Sequence, residues 1–202
     1  MPPKKASFYA GFDLGGTQLK YGAIDAEGRL VLRGKVPSPG SMAALLGTLE
    51  EIWGWVKTGC PGPVRACGFG FAGFFSQRDQ KILHSPNYPN LNDFDLVPAL
   101  KKFIGVPFRI DNDANMAAYG EYRHGAGRGA QSLVLLTVGT GIGSGIILAG
   151  DLWQGKCGFA GELGHITVNP EGDLCNCGNR GCLETEASAP KIVKNYAALT
   201  GT

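Results

Sequence analysis

One histidine and three cysteines carry the most pointed chemistry in the sequence. His165 closes Gly161-Glu162-Leu163-Gly164-His165, and Cys175-Asn176-Cys177-Gly178-Asn179-Arg180-Gly181-Cys182 follows. His165, Cys175, Cys177 and Cys182 make a complete Cys3His donor set. That is the closed, four-ligand arrangement of a structural zinc, with no open position for hydrolysis. A hydrogen-bonded core histidine and a disulfide are the alternative reading of the same residues. The C-x-C-x4-C spacing with intervening glycines favours metal. Glu184 comes two residues after the last cysteine, so a rigid zinc knuckle would fix its position.

Two glycine-rich turns point to phosphate. In Asp13-Leu14-Gly15-Gly16-Thr17, the glycines permit close backbone approach, so amide groups and the Thr17 hydroxyl can face phosphate oxygens. Asp13 can hold a magnesium ion through water. Read alone, this is equally an ordinary Gly-Gly hairpin turn. The run from Thr137 to Gly145 is the second such turn, centred on Gly139, Thr140 and Gly141. A dinucleotide fingerprint needs a helix after it, whereas Ile146-Ile147-Leu148 reads as strand, and no Gly-Lys-Ser/Thr follows as in a P-loop. Two such turns in one chain suggest a polyphosphate clamped between two lobes.

Asn112-Asp113 stands at a predicted strand end, where ligand residues gather in α/β proteins. A carboxylate there can accept a hydroxyl proton during phosphoryl transfer. Asp111 or Asn112 can equally cap the following helix, and both roles are compatible.

The elements that must position these groups follow from periodicity. Residues 7–13, 18–24 and 29–36 read as an antiparallel meander. Ser41 can cap a helix through about Lys57, with Leu45, Leu46, Leu49, Ile52 and Trp53 on one face. Residues 64–71 and 107–110 read as strands, 84–92 as a Pro-Asn-rich loop, 96–103 and 114–122 as helices. Residues 132–138 and 145–148 read as a further hairpin, and a helix begins near Ala189. The order predicts two α/β lobes, each opening on a β-hairpin: residues 1–123 with the first turn and Asp113, and residues 124–202 with the second turn and the knuckle.

Composition narrows the class. The 202 residues carry a net charge of +2, are 44% hydrophobic and 18% charged, and so describe a soluble globular protein without an electrostatic bias toward nucleic acid or membrane. The 32 glycines are about twice the usual share and show no Gly-X-Y period. No apolar run approaches the roughly 18 residues of a membrane span, and residues 1–6 lack the apolar stretch of a signal peptide. The expectation is a cytoplasmic protein, in which clustered cysteines hold metal.

Residues 13–17, 111–121, 137–145 and 161–184 resemble the ROK sugar kinases, most closely the bacterial glucokinases among them. The resemblance covers nearly the whole chain after about residue 7. The zinc block is specific to that family; the glycine turns are shared with the wider actin-like ATPase superfamily. The resemblance implies a two-lobed, ribonuclease-H-like α/β fold, with sugar and ATP·Mg2+ in the interlobe cleft. It implies ATP-dependent phosphorylation of a hexose at its 6-hydroxyl, glucose first, with Asp113 as general base. It matches Asn112, Glu162, His165 and Glu184 to sugar-hydroxyl ligands, His165 using its second nitrogen. Gly73 and Asn87 match segments that close over the sugar, although the family's Pro-Gly is Ala72-Gly73 here. The family usually runs on for roughly a hundred residues more, which carry the adenosine-binding segment, so an incomplete second lobe is expected. A truncated or inactive sugar-binding module is the alternative. A DNA-binding regulator of the family and an actin-like ATPase without a sugar are less consistent with the six residues before the first strand and with the zinc block. Dimerisation is a family expectation. Which hexose, and ATP against polyphosphate as donor, stay open.

Overall fold

The computed structural model describes residues 6–85, 88, 92 and 94–201. The chain divides into two compact units, Met1–Asp113 and Ala114–Thr202.

The first unit is built on the predicted meander. β1 (Phe8–Leu14), β2 (Gln18–Asp25) and β3 (Leu30–Pro37) pair antiparallel in sequence order. The chain then crosses through α1 (Met42–Gly59) to β4 (Val64–Phe71), which lies parallel to β1. Ser41 starts α1 as expected, its hydroxyl accepting from the Ala44 amide at 3.3 Å. Leu45, Leu49, Ile52, Trp53 and Val56 form its buried stripe. That stripe meets the alternate residues of β1 and β4, where Phe12 stacks on Phe69 at 4.6 Å and tilts against Trp53 at 6.4 Å. Each fully buried side chain of this size contributes about 1.5–3 kcal/mol, so this layer dominates the unit's stability.

Between β4 and the next crossover lies a hairpin that periodicity did not predict, β5 (Phe74–Ser76) with β6 (Lys81–His84). The short helix α2 (Leu96–Lys101) buries Leu96, Val97 and Leu100 and leads to β7 (Phe108–Asn112), parallel to β4. The sheet order is β3-β2-β1-β4-β7. β7 reaches Asn112, two residues beyond the expected strand end, and α3 (Asp113–His124) starts at the next residue.

In the second unit, β8 (Leu133–Val138), β9 (Ile142–Leu148) and β10 (Asp151–Leu152) form an antiparallel sheet in the order β10-β9-β8. β9 begins at Ile142, inside the glycine run and three residues before the expected start. A 3-10 turn at Leu163–His165 follows, then α4 (Leu183–Ala187) and α5 (Ala189–Thr200). The sequence closes the first lobe at residue 123; the compact division falls at 113/114, because the body of α3 packs on β9. A Cβ on Gly145 would lie 2.5 Å from the Ala118 Cβ and 2.9 Å from the Ala114 carbonyl oxygen. Gly143 and Gly145 are therefore packing positions that let helix and strand approach. No helix among the described residues is long and apolar enough to cross a membrane.

Candidate functional site

In the first unit, the turn of Gly15, Gly16 and Thr17 joins β1 to β2 and is fastened from outside. The Ser38 and Tyr88 hydroxyls both donate to the Gly15 carbonyl, Tyr88 at 3.0 Å, and the Ser38 amide donates to the Thr17 carbonyl at 3.0 Å. Neither Ser38 nor Tyr88 stands out in the sequence, since the bonds span 23 and 73 positions. Asp13, on β1, faces Lys20 across the β1–β2 register, with Nζ to Oδ2 at 3.0 Å. Both partners are largely exposed, so the pair is weak and readily displaced.

At the end of β7, Asn112 and Asp113 sit on either side of the strand-to-helix junction. The Asn112 side-chain amide donates to the Gly73 carbonyl at 3.2 Å, so two of the residues singled out from the sequence are brought together. Gly73 has φ +137°, a conformation that L side chains rarely adopt, and a Cβ there would overlap the His84 carbonyl. That requirement explains the glycine. The β5–β6 hairpin closes the arrangement: Ser85 donates its hydroxyl to the Ala72 carbonyl at 3.1 Å, and Gln77 donates to the Ile110 carbonyl at 2.7 Å. The Asp111 carboxylate accepts the Asn112 amide at 2.8 Å. Asp113 is exposed in the first turn of α3, where a negative charge is favoured by the helix dipole. Asn87 lies outside the described residues.

In the second unit, His165, Cys175, Cys177 and Cys182 converge, their ligand atoms all within 4.8 Å of one another. Cys175 Sγ lies 3.5 Å from His165 Nδ1, and Cys177 Sγ 3.7 Å from Cys182 Sγ. A tetrahedron with Zn–S about 2.3 Å and Zn–N about 2.05 Å has S···S edges of about 3.8 Å and N···S edges of about 3.5 Å. The set fits zinc, and all four thiol and imidazole donors suit it; the cysteines are not disulfide-bonded. Nδ1 is the nitrogen turned into the cluster. The knuckle is shaped by backbone bonds from Cys175 to the Asn179 carbonyl at 2.7 Å and from Gly178 to the Cys175 carbonyl at 2.9 Å. Without a cation, burial pushes the Cys182 thiol up to about 12, while the Asn179 amide beside Cys177 holds that thiol below its ordinary value. A divalent cation would displace the protons.

Glu162 precedes the 3-10 turn, and its carbonyl accepts the His165 amide at 3.1 Å. Ser144 of β9 holds that segment: its hydroxyl donates to the Gly161 carbonyl and accepts the Leu163 amide, the latter at 2.9 Å. Sequence reading passed over Ser144, which lay inside the glycine run. The second turn, residues 139–141, closes on a bond from the Gly139 amide to the Gly141 carbonyl at 2.9 Å. Glu184, on α4, accepts the Ile142 amide at 3.0 Å just after that turn.

Known proteins share this outline. A glucokinase of Streptomyces coelicolor is 36% identical over 187 residues, 91% of this chain and 57% of that protein. A xylose repressor of Bacillus subtilis is 34% identical over 198 residues, 95% of this chain and 50% of that protein. The crystal structure of a ROK family glucokinase from Streptomyces griseus, in complex with glucose and AMPPNP, superposes with a TM-score of 0.82 at 36% identity, covering 96% of this chain and 62% of that one. The chain thus spans about half to three-fifths of the length of the relatives it matches. The mixed α/β fold is that of the actin-like ATPase superfamily, as in the ROK sugar kinases. Residues 9–200 match the ROK family throughout, and the chain belongs to that family.

Proposed function

We propose that this chain is part of an ATP-dependent hexose kinase, with glucose as the first candidate substrate. The observation that carries the reading is the end of β7, where Asn112 is bonded to the Gly73 carbonyl and Asp113 opens α3 exposed to solvent. The kinship with glucokinases supports it. In this reading Asp113 accepts the proton of the sugar 6-hydroxyl as that oxygen attacks the γ-phosphorus of the donor in line. The family resemblance assigns the remaining hydroxyls to Gly73, Asn87, Asn112, Glu162, His165 and Glu184. Short polar side chains suit a ring of hydroxyls, and a sugar lacking one leaves a buried polar group unpaired, which gives selectivity. Backbone amides of the two turns, with Thr17 and Thr140, meet the donor phosphates, and Asp13 exchanges Lys20 for water-bound magnesium. Zinc held by His165, Cys175, Cys177 and Cys182 supplies folding energy for the knuckle and takes no part in the transfer.

The test is Asp113→Asn. Calorimetric glucose binding should stay within a few-fold of the parent, while transfer from ATP falls by at least about 100-fold. Turnover near that of the parent chain would refute the base assignment. Glucose binding by the parent without transfer would favour a sugar-binding module over a kinase.

A further inference from the structure

We infer that Glu184 is a positioning residue: carried by α4, its carboxylate holds the β8–β9 glycine turn in the shape that receives the donor phosphates. The inference rests on the reading of that turn as a phosphate site.

The turn has little to hold it from within. Residues 139–141 are Gly-Thr-Gly, and two of the three offer no side chain to pin them. The internal bond from the Gly139 amide to the Gly141 carbonyl is supplemented by two bonds from elsewhere in the unit. The Ile142 amide donates to Glu184 Oε2 at 3.0 Å, and the Ala189 amide, at the first residue of α5, donates to the Gly139 carbonyl at 2.9 Å. Both flanks of the turn are therefore tied to one α4–α5 junction. Contact is close enough that a Cβ on Gly141 would overlap the Glu184 carboxylate.

α4 is only five residues long, and its own placement comes from the cysteine–histidine cluster. Its first residue, Leu183, follows Cys182 and donates its amide to the Ile166 carbonyl at 2.9 Å, next to His165. The Thr185 hydroxyl returns to the Cys182 carbonyl at 2.8 Å. A continuous line of short bonds thus runs from the cluster, through α4, to the turn. Beside the sugar hydroxyl proposed for this carboxylate, its Oε2 accepts the Ile142 amide, and a charge-assisted bond holds that amide better than a neutral one.

The test uses the full chain loaded with zinc, without sugar. Amide hydrogen exchange across residues 139–142 and the affinity for Mg·AMPPNP are measured for Glu184→Ala, Glu184→Gln and Ala189→Pro. Proline is tolerated at the first position of a helix, so Ala189→Pro removes one N–H while leaving α5 intact. Glu184→Ala should speed Ile142 exchange about tenfold or more and weaken the analogue by a similar factor. Glu184→Gln keeps an acceptor and sheds the charge, so it should restore the protection and bind the analogue at least as tightly as the parent chain. Ala189→Pro should loosen the same turn. Unchanged Ile142 exchange in Glu184→Ala would overturn the inference and leave the kinase reading intact. Faster exchange with unchanged analogue affinity would overturn the donor-site half, together with the reading beneath it.

Discussion

Gly145→Ala tests whether packing between β9 and α3 sets the position of Asp113. The added Cβ would sit 2.5 Å from the Ala118 Cβ and 2.9 Å from the Ala114 carbonyl oxygen. Carbon atoms rest at about 3.5–4.0 Å, so strand and helix must part by about 1–1.5 Å. Neither neighbour can rotate away, because one is a methyl on the backbone and the other is backbone itself. Overpacking of this kind costs about 1–3 kcal/mol, which lowers the melting temperature of a chain this size by about 2–12 °C. Because Asp113 is the first residue of α3, the displacement also reaches the proposed base. A misplacement of about 1 Å costs about 100-fold in turnover. Melting followed by circular dichroism gives the first number, and coupled glucose phosphorylation the second. Ala118→Gly in the same chain should recover part of the loss, reduced by about 1 kcal/mol for glycine in a helix. Gly105→Ala is the control, since its Cβ meets nothing within 4 Å, its φ is outside the left-handed region, and it lies outside both glycine turns. A Gly145→Ala chain as stable as the parent, or one that Ala118→Gly worsens, would refute the reasoning.

Thiol labelling should divide the cysteines by environment. Exposed Cys157 reacts first; Cys60 and Cys67 stay protected until unfolding, Cys67 with its thiol pushed up to about 12 by burial. Cys175, Cys177 and Cys182 should label only after chelation, with release of one zinc per chain, and labelling of all three before chelation would refute the closed metal site. Asp25 reports on the β2–β3 hairpin. The Arg29 amide, followed by the Arg29 side chain, holds its carboxyl below 3.8. A depressed carboxyl pKa stabilises the fold above the unfolded value and loses that contribution as pH falls through the folded one. Asp25→Asn should therefore lower the melting temperature near about pH 6, with the gap closing below about pH 3.8; a gap independent of pH would refute the linkage.

What the sequence made legible, and what it hid, follows from the range of each interaction. The meander and α1 were readable because alternation and a Ser-capped apolar stripe are local signals, and the observed bounds differ by a residue or two. The β5–β6 hairpin was not, because its connection, Gln77-Arg78-Asp79-Gln80, has no glycine; Gln80 itself takes φ +56°. The cysteine–histidine set was readable because a closed site must present four donors in a short stretch. The glycine run at 139–145 was half readable. Its glycines serve two ends, turn flexibility at 139 and 141 and helix approach at 143 and 145, and only the position of Ala114 and Ala118 separates them.

Glu184 shows why spacing alone falls short of a role. Counting two residues on from Cys182 places its backbone correctly on the knuckle. The partner of its carboxylate, the Ile142 amide, is 42 positions away and lies in a different element. Donor sets with a required count announce themselves in one dimension; a carboxylate that borrows a distant amide does not. In this chain the four donors of the Cys3His set are local, and the residues that hold the turns (Ser38, Tyr88, Glu184) all act over more than 20 positions. A glycine turn buys close approach to its ligand by giving up the side chains that would fix it, so its stiffness has to be supplied from elsewhere in the fold. Ser38 and Tyr88 supply it to the first turn, and the α4–α5 junction supplies it to the second. Functional scanning of this fold should therefore find its strongest nucleotide phenotypes outside the glycine turns as well as within them.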